Sequence, residues 1–302
     1  MNLRSVDEFE GQRSRLFGIA YRMLGSAEEA EDVVQDAFLR WDGAERDAIV
    51  APSSWLAKVV TNLSINRLTS ARARREQYIG PWLPEPVLTS DGALWPDDEA
   101  EQRDSVSLAL LTLLERLTPT ERAVFVLREA FAYSHRELAE ILELSEANCR
   151  QLHHRATRRL GESPPRFRPD TDQWHRLVER FLTAARDGDM SALEDVLTAD
   201  AVAVGDGGGK ATAGTRPVLG RTRVARLLVG LLRKYATTQM ELTFAEVNGQ
   251  AAILAWHRAT LAGVMVLEIA DGAVRATRTV TNPEKLGYLA MQLSHSEVPS
   301  GS

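Results

Sequence analysis

Two apolar stripes separated by a tight turn constrain the fold of this chain more than any other feature. The first stripe consists of Leu138, Ala139, Ile141 and Leu142, and the second of Cys149, Leu152, Ala156 and Leu160. The second set recurs at spacings of three, four and four, which keeps one helical face apolar. Ser145, just before the second stripe, is a good N-cap. Residues 133–160 are therefore predicted to form two short packed helices.

The outward face of the second predicted helix is polar and strongly basic. Its members are Asn148, Arg150, Gln151, His154, Arg155 and Arg158, with Arg159 close by. These side chains can bond to base edges or phosphates, and an α-helix fits the major groove of DNA. The pattern favours a DNA-binding helix-turn-helix; the alternative is an α-hairpin with a solvated basic face.

Composition limits where such a protein works. The chain has 302 residues, enough for two or three domains, and no apolar run approaches the ~20 residues of a membrane span. The N-terminus has no hydrophobic signal region, and Cys149 is the only cysteine, so a cytoplasmic location is expected. The net charge is −6, so nucleic-acid binding must depend on local basic patches.

Residues 5–78 show helical periodicity throughout and divide their charge between two helices. The first of these runs from Ala27 to Trp41 and carries acidic and polar residues opposite its apolar stripe, namely Glu31, Asp32, Gln35 and Asp36. The next helix ends in a basic tail that includes Asn62, Asn66, Arg67, Arg72, Arg74 and Arg75. A solvated acidic face is the ordinary meaning of such a helix. The division nevertheless suggests separate protein-facing and nucleic-acid-facing surfaces.

A linker at residues 79–104 follows, because its prolines and glycines forbid a continuous helix. Its WLPEP stretch, which contains Trp82, Leu83 and Pro84, is more apolar than a flexible tether requires, so something is expected to pack on it. A second helical domain is predicted at residues 105–161. It contains a capping box in which Thr118 is the N-cap, Pro119 is N1 and Glu121 is N3.

The pattern becomes mixed after the prolines at 164, 165 and 169, and residues 172–292 are predicted to form an α+β domain. Helices are expected at Trp174–Arg186, Met190–Leu197 and Arg221–Tyr235, and a strand at Ala201–Gly205. Four more strands, Met240–Val247, Gln250–Arg258, Gly263–Ile269 and Ala273–Thr281, form an antiparallel meander. Asn248-Gly249 and Asp271-Gly272 are hairpin signals. The result is a sheet curled around helices.

Three segments resemble bacterial sigma factors in their order and separation. AEEAEDVVQDAFLRW is similar to the polymerase-docking helix, WLAKVVTNLSINRLTSARARRE to the promoter-melting region, and the segment from Leu117 to Leu160 to the C-terminal helix-turn-helix. The spacing resembles the extracytoplasmic-function (ECF) class. WLPEP, DGGGK at 206–210 and NPEKL at 282–286 resemble an ECF subgroup of the sigma-J type, which has a SnoaL-like, cone-shaped NTF2-fold extension.

The resemblance implies roles by position. The acidic helix would meet the clamp helices of core RNA polymerase, through Glu31, Asp32, Gln35 and Asp36. The basic tail from Asn62 to Arg75 would lie near the minus-ten element. Arg150, Gln151 and His154 would face bases of the minus-thirty-five element, with Arg155, Arg158 and Arg159 nearer phosphates. His153, His154 and Cys149 depart from many ECF sequences, so the promoter sequence cannot be transferred.

Two stretches of the sequence also suggest a regulatory contact within the chain. WLPEP and NPEKL are both expected to be exposed stretches without partners in their own domains, so we hypothesise that the C-terminal domain packs on the linker. The contact would use Trp82, Leu83 and Pro84, the DGGGK loop (Asp206, Gly207, Gly208, Gly209 and Lys210), and the NPEKL stretch (Asn282, Pro283, Glu284, Lys285 and Leu286).

The alternative is a DNA-binding protein fused to a small-molecule-binding or isomerase- or cyclase-type SnoaL-like enzyme domain, because SnoaL-like folds include enzymes. Catalysis needs an acid or base in an apolar cone, and the candidates are Asp206, His257, Glu268 and Arg278. No two of them form a recognisable pair. DGGGK lacks the spacing of a phosphate-binding P-loop. No catalytic residue, metal or cofactor is therefore predicted, while a small-molecule ligand of the C-terminal domain remains open.

Overall fold

The structure, a computed structural model, describes residues 3–45, 48–89, 106–161, 171–211, 213–237 and 240–295. It divides into two compact units, Met1–Gln77 with Thr89–Ser163 and Tyr78–Leu88 with Pro164–Ser302. Tyr78–Leu88, called the linker segment below, thus belongs to the second unit although it connects two parts of the first along the chain. Within the described ranges, no helix is long and apolar enough to cross a membrane.

The first part of unit one is a three-helix bundle of α1 (Leu3–Leu24), α2 (Ala27–Asp42) and α3 (Pro52–Glu76). Its core contains the fully buried Phe9 and Leu56, together with Trp41, which is 1% exposed. The Ser26 hydroxyl accepts the Glu29 N–H at 3.1 Å and so caps α2. This all-helical region was expected from its periodicity.

The second part of unit one consists of α4 (Leu108–Leu114), α5 (Pro119–Phe131), α6 (His135–Leu142) and α7 (Glu146–Leu160). The predicted capping box is confirmed, because Thr118 and Glu121 exchange side-chain and backbone hydrogen bonds at the start of α5. Ser145 caps α7 as predicted. The apolar stripe of α7 is buried, so the two helices pack as the helix-turn-helix pattern requires.

Buried arginines join these two parts of unit one. The Arg122 side chain, 2% exposed, donates from Nε to the carbonyl of Arg22 at 3.1 Å. Both Arg122 and Arg75 form ion pairs with Glu115. Burial would raise the pKa of Glu115, but the two guanidinium groups outweigh burial and lower it. Burial lowers the pKa of Arg22 to about 9, so it stays protonated at neutral pH; its guanidinium lies 5.1 Å from the ring centroid of Phe131.

Unit two contains helices α8 (Thr171–Asp187), α9 (Met190–Asp195), α10 (Arg221–Thr237) and α11 (Pro283–His295). Its strands are β1 (Leu197–Asp206), β2 (Val218–Leu219), β3 (Met240–Val247), β4 (Gln250–His257), β5 (Thr260–Ala270) and β6 (Ala273–Val280). A core that includes Phe181, Leu228 and Leu267 fills the space between α8–α10 and one sheet face. Helix α11 contacts β5, where Val264 and Val266 alternate with the core residues and are also buried.

The six-stranded sheet has the order β2-β1-β6-β5-β4-β3. The predicted antiparallel meander of β3 to β6 and the α+β class are confirmed. Strand β1 is longer than predicted and pairs in parallel with β6, which places Asp206 opposite Val280. This pairing and helix α11 were not predicted, because the parallel partners lie about 75 residues apart and NPEKL was interpreted as an exposed tail.

Candidate functional site

Helix α7 presents the polar face expected of a recognition helix. Arg150, Gln151, His154, Arg155, Arg158 and Arg159 are all exposed, and Asn148 is half-buried. Arg150 forms an ion pair with Glu146 one turn earlier. The exposed positions lie opposite the buried stripe, so this face can meet an extended anionic surface.

Two arginines of this face are held by a buried carboxylate at the start of α5. Glu121, whose side chain is only 3% exposed, accepts from Arg159 and lies 4.0 Å from Nε of Arg155. Glu121 also closes the capping box with Thr118. Arg155 and Arg159 therefore help to fix α7 against α5, whereas Arg158 belongs to the exposed face alone in the contacts described.

The acidic helix α2 and the basic helix α3 are linked by ion pairs. Arg67 donates to Asp32 at 3.0 Å and to Asp36 at 2.9 Å, and these carboxylates are 58% and 45% exposed. Glu31 accepts from Arg13 at 2.7 Å, and Gln35 is exposed. The expected separation into an acidic and a basic surface is therefore wrong at this point, because Arg67 of the basic helix pairs with two carboxylates of the acidic helix.

The remaining residues of the basic tail have different environments. Asn66 is exposed and Asn62 half-buried on α3. Arg75 donates to the Leu24 carbonyl and pairs with Glu115, so its side chain is only 15% exposed. The side chains of Arg72 and Arg74 lie outside the described residues. Arg75 thus packs inside unit one here, in contrast to the role that the resemblance implies for it.

Unit two binds the linker segment around one fully buried carboxylate. Asp206, at the end of β1, accepts the Leu83 N–H at 2.8 Å, the Tyr78 hydroxyl at 2.5 Å and the Lys285 ammonium at 2.7 Å. The Asn282 amide donates to the Tyr78 hydroxyl at 2.8 Å. Burial, followed by the bond to Asp206, raises the pKa of Tyr78. These five residues are called the Asp206 cluster below.

Lys285 connects the cluster to the aromatic side chains of the linker segment. Its ammonium donates to the Leu83 carbonyl at 2.5 Å and lies 4.6 Å and 4.2 Å from the ring centroids of Tyr78 and Trp82. Its side chain is 8% exposed. A charge this deeply buried requires such partners. In contrast, Lys210 forms an exposed ion pair with Glu284, joining the DGGGK loop to the NPEKL stretch at the surface.

Two of the three loop glycines, Gly208 and Gly209, allow the linker segment to approach the loop backbone. A Cβ on Gly208 would lie 2.8 Å from the Tyr78 hydroxyl oxygen, and one on Gly209 would lie 2.9 Å from Cδ1 of Ile79. A Cβ on Gly207 would lie 2.3 Å from the Ala211 carbonyl oxygen. Gly208 and Gly209 also have φ values of 57° and 72°. Any side chain here would displace the loop or the linker segment.

The far end of the linker segment is bound by residues that the sequence did not indicate. The Asn248 side chain accepts the Val87 N–H at 3.0 Å, and the Asn248 N–H donates to the Val87 carbonyl at 2.9 Å. Gln292 accepts the Leu88 N–H at 2.9 Å. Asn248 has a φ of 54° in the predicted hairpin turn, so one residue serves both the turn and the linker segment.

The expectation that WLPEP and NPEKL are exposed is wrong. Residues 83–88 are buried, as are Asn282, Lys285 and Leu286, and Trp82 is half-buried. Pro283 and Glu284 remain exposed because they occupy the first turn of α11. Asn282 caps that turn by accepting the Glu284 N–H at 3.2 Å. Both stretches thus have partners within unit two, namely each other and Asp206.

Comparison with known proteins shows two family matches. The Sigma-70 region 2 model matches residues 9–74, and the Sigma-70, region 4 model matches residues 107–160. The ECF RNA polymerase sigma factor SigJ of Mycobacterium tuberculosis (strain ATCC 25618 / H37Rv) is 37% identical over 290 residues, covering 93% of this chain and 92% of that protein. This chain belongs to the ECF RNA polymerase sigma factors.

Two further similarities cover most of this ECF sigma factor. The crystal structure of M. tuberculosis SigJ has a TM-score of 0.73 and 33% identity, covering 94% of this chain and 98% of that one. SigG of the same organism is 28% identical over 279 residues, covering 83% of this chain and 72% of that protein. The chain is thus a sigma factor for promoter-specific transcription initiation, with an α+β domain after region 4.

The acid–base candidates of this α+β domain are not arranged as a catalytic group. Asp206 is occupied by the linker segment, and Glu268 forms a largely buried ion pair with Arg278. His257 is exposed at the end of β4. Within the described residues, no group of three or more His, Cys, Asp or Glu could hold a metal ion.

Proposed function

We propose that the C-terminal domain regulates this sigma factor by holding the linker segment between regions 2 and 4. The observation that carries the proposal is the Asp206 carboxylate, which is fully buried and bonded to Leu83, Tyr78 and Lys285. A linker that served only as a tether would not require a buried ion pair. The contact is internal to one chain, so its effective concentration is high and it forms without a partner protein.

The contact would affect transcription by controlling the distance between regions 2 and 4. Promoter recognition requires regions 2 and 4 to meet two DNA elements at a defined separation, and the linker segment lies between them in the chain. While Tyr78–Leu88 is held by unit two, these residues cannot contribute to the connection that adapts this spacing. Release would lengthen the adaptable connection, by at most about 3.3–3.6 Å for each released residue.

The contacts with polymerase and promoter complete the proposal. The exposed Asp32 and Gln35, with the half-buried Glu31 and Asp36, would meet core RNA polymerase. Asn62, Asn66, Arg67, Arg72, Arg74 and Arg75 would act at the minus-ten element, and the exposed face of α7 at the minus-thirty-five element. Arg67 would have to leave Asp32 and Asp36, and Arg75 would have to leave Glu115, so both ion pairs compete with DNA. The protein would act in the cytoplasm with polymerase and DNA.

The proposal assigns binding and no catalysis to the C-terminal domain. Two cavities on the core side of its sheet are lined by apolar side chains, threonines and one arginine, with no carboxylate, imidazole, lysine, tyrosine or cysteine among the described lining residues. General acid–base chemistry requires such a group within hydrogen-bond distance of a substrate.

Run-off transcription with core polymerase tests the regulatory contact. Lys285→Met removes the ammonium from the Asp206 cluster and should change transcription several-fold, in the same direction as removal of all residues after Gly161. The matched control is Lys210→Met, because Lys210 is paired with Glu284 in solvent and contributes little. Equal transcription by the wild type, Lys285→Met and the truncated protein would refute regulation through this contact.

A further inference from the structure

Two adjoining cavities lie between α10 and the sheet in the C-terminal domain. The larger has a volume of about 80 Å³ and the smaller about 30 Å³. Leu228, Leu231, Met265 and Thr279 line both, so these side chains separate one cavity from the other. The smaller cavity is otherwise almost wholly apolar, with residues such as Phe181 and Ile253 in its wall.

The larger cavity combines an apolar wall with a polar one. Helix α10 contributes aliphatic side chains, including Leu227. Strand β6 and the residue after it contribute Thr277, Thr279 and Thr281, which alternate along the strand and so place three threonine side chains on one side. The Thr281 hydroxyl donates to the Asp206 carbonyl at 3.3 Å. Arg216 also lines the cavity and is exposed, so it lies at the mouth. It is the only charged side chain among the described residues of the lining.

This chemistry indicates the kind of molecule that fits. An apolar body would contact the leucines, and a single anionic head would bond to the hydroxyl groups and the guanidinium at the mouth. A cavity of about 150 Å³ binds benzene in another protein, so this one accepts a smaller body of about four carbons. Met265, an unbranched side chain between the two cavities, sets this limit.

The cavity wall continues directly into the Asp206 cluster. Gly205 and Thr281 line the cavity, and Asp206 and Asn282 follow them in sequence. The Asp206 carbonyl accepts the Thr281 N–H at 2.8 Å and the Asn282 N–H at 3.1 Å. Ala213 also lines the cavity and packs close to Gly205, since a Cβ built on Gly205 would lie 3.3 Å from the Cβ of Ala213. A molecule that displaces this wall therefore moves the backbone that carries the Asp206 carboxylate.

We propose that the larger cavity is a binding site for a short-chain monocarboxylate, and that its occupancy changes how tightly Asp206 holds the linker segment. The binding site stands on the cavity alone, whereas its effect on transcription rests on the regulatory function proposed above. A ligand can shift this contact only by binding the held and released forms with different affinity.

Titration of the full-length protein with butanoate tests the site. Methyl NMR signals of Met265 and the α10 leucines should shift saturably, and butan-1-ol, which lacks the charge, should bind at least about fivefold more weakly. Arg216→Gln should weaken butanoate by roughly the same factor, whereas Arg226→Gln, an exposed change on α10 outside the lining, should leave it unchanged. Absence of saturable shifts would overturn the site, and equal binding of acid and alcohol would overturn its assigned chemistry.

A second variant tests the geometry by a gain of binding. Met265→Ala joins the two cavities, so the affinity for hexanoate should rise several-fold relative to butanoate, with circular dichroism confirming an intact fold. An unchanged preference would refute the assignment of Met265 as the partition between the cavities.

Hydrogen exchange measures the coupling between the cavity and the linker segment separately from ligand binding. Amide hydrogen exchange across Tyr78–Leu88 should change at least twofold at saturating butanoate in the wild type, and in Arg216→Gln the same change should require about fivefold more butanoate. Binding without any such change would overturn the coupling while the site stands. If Lys285→Met alters transcription but butanoate does not bind, only the ligand inference fails. If butanoate binds and Lys285→Met has no effect on transcription, the regulatory function fails instead.

Discussion

Replacement of Asp206 by asparagine tests the contact between the linker segment and the C-terminal domain most directly. The carboxylate receives three donors, from Leu83, Tyr78 and Lys285, and it is completely buried. Asparagine has nearly the same shape but only one acceptor oxygen, and its amide group is a donor. At least one of the three donors then faces another donor, and Lys285 loses its carboxylate partner.

The magnitude follows from the burial of the ion pair. Removal of one partner of a buried pair costs about 3–5 kcal/mol, because the other charge stays uncompensated. Lys285 keeps the Leu83 carbonyl and the faces of Tyr78 and Trp82, so we expect the lower end, about 3 kcal/mol. Since about 1.4 kcal/mol corresponds to a factor of ten, the released form of the linker segment should become about 100-fold more populated.

Hydrogen exchange of the linker amides measures this population. The Leu83, Val87 and Leu88 N–H groups donate to unit two, so all three should exchange up to about 100-fold faster in Asp206→Asn if the segment opens as one unit. Glu284→Gln is the matched control, because its ion pair with Lys210 is exposed and contributes at most about 1 kcal/mol.

A double-mutant cycle separates the ion pair from the rest of the contact. Asp206→Asn combined with Lys285→Met should be less destabilised than the sum of the two single variants, because the second change removes the uncompensated charge. If Leu83 exchanges at the wild-type rate in Asp206→Asn, or if the two changes add without coupling, the central role of this ion pair is refuted.

Three further predictions concern unit one. Glu115→Gln should destabilise unit one by about 2–3 kcal/mol in chemical denaturation at pH 7. The folded-state pKa of Glu115 lies below its ordinary value of 4.5, so its contribution to stability is present above pH 4.5 and is lost as pH falls through the folded-state pKa. The variant should therefore lose less stability than the wild type on acidification, and an equal loss would contradict this. Asp32→Lys with Asp36→Lys should weaken core-polymerase binding in a pull-down while circular dichroism shows a folded chain; unchanged binding would refute the docking assignment. In fluorescence anisotropy, Gln151→Ala should weaken promoter binding by ~1–3 kcal/mol and relax the base preference at one position. Arg158→Ala should weaken binding to all DNA sequences evenly and reduce its salt dependence. Identical effects would mean that neither residue reads bases.

Local rules predicted most of the elements, because each signal acts within a few residues. Periodicity located the helices of unit one, and the residues around Thr118 and Ser145 gave their start points. Asn248-Gly249 and Asp271-Gly272 indicated two of the three hairpins of the meander. Such signals require no knowledge of distant partners.

Contacts between distant residues were beyond these rules. The pairing of β1 with β6 and the bonds of Asn248 and Gln292 to the linker segment join residues far apart in sequence. Arg67 belongs to a basic run and Asp32 to an acidic one, and composition alone does not show that the two helices bring them to 3.0 Å. NPEKL resembled an exposed tail because proline and glutamate are residue types common at protein surfaces. The buried position of Lys285 depends on its ion pair with the distant Asp206.

The mixed character of the linker contact explains how it can be both specific and adjustable. Leu83 and Val87 are almost completely buried, and burial of such a side chain contributes about 1.5–3 kcal/mol, so apolar contacts supply most of the affinity. The bond from the Leu83 N–H to Asp206 fixes the register, because a shift by one residue would leave the carboxylate without that donor. A buried ion pair adds little net stability over an apolar equivalent but is sensitive to geometry. A small movement of Asp206, at the end of the cavity wall, can therefore change the hold on the linker segment while the apolar contacts stay in place.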